Sequence, residues 1–89
     1  MEQVLAFPAA QQPAVSRACS VMWTATTGMM STFMRSTAPG HRLVVARKIA
    51  QNLGVLGGDP LLSAECRRSF GNLGQRWEAK VLRLGLVTR

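Results

Sequence analysis

Carboxylates are the scarcest chemistry in this sequence. Glu2, Asp59, Glu65 and Glu78 are its four acids among 89 residues, against nine arginines and two lysines, and the formal charge is +7. Histidine is reduced to His41, and tyrosine is absent. A helix-borne metal site needs two ligands on one face, and no pair of His, Asp or Glu stands at i, i+3 or i, i+4. Cys19 and Cys66 are far apart and lack Cys-x-x-Cys spacing, which argues against a zinc ribbon or a secreted disulfide scaffold. Flanked by apolar helical positions, they read as small buried hydrophobes; the alternative is a bridge between them or between subunits. A Cys–His pair made with His41 has no third group placed by spacing to orient the base. The sequence therefore predicts a non-enzymatic protein with no metal and no cofactor.

A long apolar run is also missing. The longest uncharged stretch, Ala18 to Met34 between Arg17 and Arg35, has 17 residues, six of them Ser or Thr. A spanning helix needs about 20 predominantly apolar residues, so no membrane span is expected. The first basic residue is Arg17, too late for the start of a secretory signal. The acid-poor, Ser/Thr-rich first forty residues share the composition of an organellar transit segment, but the expected compartment is the cytoplasm. Arginine-rich, lysine-poor usage points to a GC-rich microbial or viral genome.

What is present suffices for one small domain, with 47% apolar residues. Residues 1–12, with Phe7-Pro8 and Gln11-Gln12, have no helical period and read as an irregular arm; 13–89 form the domain. Within the uncharged stretch, Val15, Ala18, Met22, Ala25, Met29 and Phe33 fall within about 60° of one direction at 100° per residue. Ser16, Ser20, Thr24, Thr27 and Ser31 take the other side with Arg17 and Arg35. The first helix is thus expected from Pro13 to Ser36 or Thr37, before the turn at Pro39-Gly40. Trp23, Met30 and Met34 form a second apolar stripe about 100° round, which faces either a partner or a neighbouring helix of the same domain.

Val45, Ile49 and Leu53 predict a second helix over 41–53, with Arg42, Arg47, Lys48, Gln51 and Asn52 on its polar side and Gly54 closing it in a left-handed conformation. Val55 and Leu56 then pack back as a plug. Asp59-Pro60 reads as an N-cap and first helical residue. Leu62, Cys66, Phe70, Leu73, Trp77, Val81 and Leu84 continue one seam, in which Gly71 and Gly74 predict a break and a fourth helix over 75–84. Ala46–Gly54 echoes Cys66–Gly74 at an offset of twenty residues, too little to establish a repeat. The expected fold is all-α, a single three- or four-helix bundle cored by Val15, Met22, Met29, Phe33, Val45, Ile49, Leu53, Leu62, Phe70, Leu73, Trp77 and Val81.

Such a chain works by binding. Gly54-Val-Leu-Gly-Gly58 lacks the flanking strand and Gly-Lys-Ser/Thr of a phosphate loop. Pro60 occupies a buried position of what would be a recognition helix, which disfavours a helix-turn-helix. The leading reading is a small regulatory, inhibitory or adaptor protein docking on another protein through Trp23, Met30 and Met34. Arg42, Arg47, Lys48, Arg67, Arg68, Arg76 and Arg83 would steer it to an acidic patch. Homodimerisation through that stripe is compatible with the same surface. The runner-up is a nucleic-acid-associated protein using the basic second half, its two basic pairs side by side. A third reading is a structural subunit of a larger assembly.

Overall fold

The computed structural model describes residues 17–87 as three helices, α1 (Arg17–Arg35), α2 (Pro39–Gly57) and α3 (Ala64–Val87). The arm over 1–12, the proposed start at Pro13 and the core position Val15 lie outside the described residues. The helices run up, down and up, and α2 packs against both others. No Cα of α1 comes within 8 Å of one in α3. That wider gap is filled by large side chains. Trp23 meets Phe70 with ring centroids 5.6 Å apart, and Phe33 meets Trp77 edge-on at 5.0 Å. Edge contacts of this kind suit the ring quadrupole. Phe33, Val45, Ile49, Leu53, Leu62, Phe70 and Trp77 are buried, with Met22, Met29, Leu73 and Val81 packed against them. The apolar spacing thus marked the core correctly.

Three expectations about helix ends are overturned. Ala38 has the extended backbone that a residue before proline prefers, so Pro39 itself starts α2 at its first turn, two residues before His41. At the other end α2 runs through Gly54 to Gly57, and no glycine among the described residues has positive φ. Continuing the helix places Leu56 in register behind Leu53 and buries it. Burying a leucine gains about 1.5–3 kcal/mol, more than the roughly 1 kcal/mol cost of a helical glycine. Asp59-Pro60 makes a turn, in which Asp59 Oδ1 accepts from the Leu61 N–H at 3.0 Å and the Asp59 carbonyl accepts from Leu62 at 3.1 Å. The cap of α3 is Ser63, whose Oγ accepts the Cys66 N–H at 3.1 Å.

The predicted break in α3 is absent. The helix is continuous past Gly71, Gly74 and Gly85. Two glycines, Gly57 of α2 and Gly74 of α3, serve the crossing of those helices. A Cβ on Gly57 would lie 3.1 Å from the Gly71 nitrogen, and one on Gly74 would lie 3.3 Å from the Leu53 Cβ. The two Leu-Gly units of the sequence echo therefore meet at the α2–α3 crossing. They are packing surfaces, not caps.

Candidate functional site

The site residues expected from sequence separate into committed and free groups. Trp23 is half-buried on Phe70, and Met30 is half-buried against the core. The second stripe of α1 thus faces α3 of the same domain, as one of the two readings had it. Met34, the last member, remains 76% exposed.

Arg42 is used inside the fold. Its guanidinium donates to the Phe33 and Ser36 carbonyls, both at 2.9 Å, and lies 3.9 Å from the centre of the Phe33 ring. It closes the C-terminal end of α1, where orphan carbonyls and the helix dipole favour a cation. Arg67 does the same for the turn between α2 and α3, donating to the carbonyls of Asp59, Pro60 and Leu62. Arg47, Lys48, Arg68, Arg76 and Arg83 are exposed. Because α2 and α3 are antiparallel, the pair 47/48 lies near the level of Val81, while 67/68 lies beyond the end of α2. The two basic pairs are not side by side.

Arg76 and Arg83 share one flank of α3 with Lys80, at about 100° per residue. This is the flank towards α1, since Gly71 and Gly74 mark the opposite one. Lys80 sits over the Trp77 ring at 5.6 Å, and that ring touches Phe33, the neighbour of Met34. An exposed methionine and a basic ridge therefore border the same end of the α1–α3 seam.

On the other side of the molecule, Arg47, Ala50 and Gln51 of α2 and Glu78, Val81 and Leu82 of α3 line an open groove. Leu82 and Leu86, one turn apart, are 72% and 70% exposed. Sequence spacing gave no weight to this face, because both leucines fall outside the main seam.

The chemistry-bearing residues do not converge. His41 pairs with Ser36 Oγ at 2.9 Å in the turn after α1, whereas Cys19 lies in the first turn of that helix. Sixteen residues of helix separate Cys19 from Arg35, roughly 24 Å, so this Cys–His pair is not assembled. Cys19 and Cys66 are buried thiols. Burial pushes the Cys19 thiol up from its ordinary 9.0, and the negative charge that Cys66 and Asp59 can place nearby adds to it. Such a thiol is a poor nucleophile at neutral pH. Bridging the two cysteines would require α1 and α3 to move, because disulfide-linked Cα atoms lie within about 7 Å. Among the described residues no cluster of three metal-ligating side chains occurs, and no helix is long and apolar enough to cross a membrane. No family model matches the chain, and neither a curated protein nor a solved structure matches it.

Proposed function

We propose that this chain is a non-enzymatic regulatory, inhibitory or adaptor protein that docks on an acidic face of another protein, in the cytoplasm. The observation that carries the reading is Met34. It is 76% exposed at the end of a stripe whose other members pack against the domain, and its neighbour Phe33 meets the Trp77 ring over which Lys80 lies. A flexible, polarisable thioether at an end of the seam bordered by basic residues suits an apolar contact inside an acidic rim. Trp23 and Met30 anchor α1 against the core, and the net charge of +7 gives the steering field.

The test is affinity purification of the full chain after nuclease digestion, comparing wild type with Met34→Glu and with Arg76→Glu/Arg83→Glu. A protein partner retained by wild type and lost from both variants, each still helical, is the expected result. Trp23→Ala is unsuitable because it removes a core contact. The exposure of Arg47, Lys48 and Arg68 keeps the nucleic-acid reading as the second one. A steep fall in affinity for random DNA or RNA between low and physiological salt, with no partner surviving nuclease, would replace the adaptor reading.

A further inference from the structure

We propose that the α2–α3 groove opposite α1 is a two-fold interface between copies of this chain. Its walls carry opposite charges within about one helical turn of each other in height, close enough for their long side chains to meet, Arg47 on α2 and Glu78 on α3, both exposed and not bonded to each other. Their position is what makes the face self-complementary. A two-fold axis running along the hairpin, in the plane of the groove, keeps every residue at its own height and exchanges left for right. It therefore brings α2 of one copy onto α3 of the other. Arg47 then meets Glu78 of the second copy, and the symmetry makes the pair twice. The four contacting helices alternate in direction, as neighbours in an antiparallel bundle do.

The apolar content of the face agrees. Val81 and Ala50 lie on the floor, Leu82 stands on the α3 wall, and Leu86 continues that flank one turn further on, both leucines with most of their surface in water. Ala50 is small enough for an incoming side chain to sink between the walls, the usual condition for close helix packing. A domain of this size buries a modest share of its surface alone, so covering those leucines is a direct source of stability. A uniformly acidic ligand is the less suitable occupant, because Glu78 projects from one wall. A second copy satisfies both signs. This surface lies on the opposite side from Met34, so it stands or falls independently of the adaptor reading.

Sedimentation analysis of the full chain across a wide concentration range tests the proposal. Wild type is expected to pass from monomer to dimer, and Leu82→Glu/Leu86→Glu to remain monomeric with unchanged helical circular dichroism. Arg47→Glu alone and Glu78→Arg alone each set two like-charge pairs across the interface and should weaken dimerisation roughly tenfold or more. Combining both in one chain should restore it. Mixing the two single variants should give a heterodimer tighter than either homodimer, a result that no effect on folding can imitate. Wild type monomeric at every concentration would overturn the proposal. A dimer indifferent to Leu82 and Leu86, or one that the charge exchange fails to rescue, would overturn it as well.

Discussion

Cys19 shows how one buried residue sets a condition on the whole fold. Its thiol is 4% exposed, and burial first, then Cys66 and Asp59, raise its pKa above 9.0. A folded-state pKa above the unfolded one means that the contribution to stability is complete below pH 9.0. It is lost as pH rises through the folded value, because the unfolded chain releases the proton first. Wild type should therefore lose more stability between pH 7 and pH 10 than Cys19→Ala does, measured as the difference in urea midpoint at the two pH values. Equal losses would show that the thiol ionises as readily in the fold as outside it. Thr26 makes a related point about legibility. Among the described residues it is the one fully buried polar side chain, donating to the Met22 carbonyl at 2.7 Å and accepting from Asn52 Nδ2 at 3.2 Å. Its angle, about 40° from Met22 on the helical wheel, places it on the apolar arc. Residue type concealed it among the threonines of α1, and Asn52 was assigned to the solvent side for the same reason. A polar pair shared by two helices is visible only once their relative height is known.

At the scale of the element, glycine was the residue most easily misread. Spacing alone located all three helices and their apolar seams, because periodicity reports which face is buried. It could not say what a glycine is for, since a cap, a break and a close crossing leave the same letter in the sequence. The answer lay in the partner helix. Gly57 and Gly74 face the backbone or the Leu53 Cβ across the α2–α3 contact, while Gly28 and Gly71 have nothing within 4 Å of an added Cβ. Gly28→Ala and Gly71→Ala should each stabilise by about 0.5–1 kcal/mol, the difference in helix propensity. Gly57→Ala should destabilise despite that propensity, because its Cβ would press on the main chain of α3, and Gly74→Ala should do the same against a fully buried leucine. Thermal unfolding of the four variants gives opposite signs if α3 is one continuous helix. Were α3 broken at these glycines, Gly71→Ala would lower the melting temperature. The candidate site was less legible than the fold for a parallel reason. Exposed Met34, Leu82 and Leu86 differ from the half-buried Met29 and Met30 and the buried Leu53 and Leu62 only in which helix lies beside them.

For the molecule as a whole the governing quantity is charge. The sequence carries eleven cations against four acids, and two guanidiniums of the fold, Arg42 and Arg67, donate to carbonyls instead of carboxylates. Their hydrogen bonds hold helix ends together and depend little on salt. The exposed cations repel one another, and that repulsion acts across distances comparable with the Debye length, about 30 Å at 0.01 M salt and 10 Å at 0.1 M. Raising sodium chloride from 10 mM to 150 mM should therefore raise the melting temperature. If screening relieves roughly 0.5 kcal/mol, the rise is about 2–4 °C for a domain of this size. Neutralising one exposed cation, as in Arg68→Gln, should raise the melting temperature at 10 mM salt and shrink its increase with salt. A melting temperature that falls with salt would mean that attractive pairs outweigh the repulsion and that the basic surface is already neutralised within the fold. The expected rise corresponds to a surface whose positive charge is left unbalanced in the isolated chain. An acidic partner would then relieve self-repulsion on docking, adding to whatever its direct contacts provide.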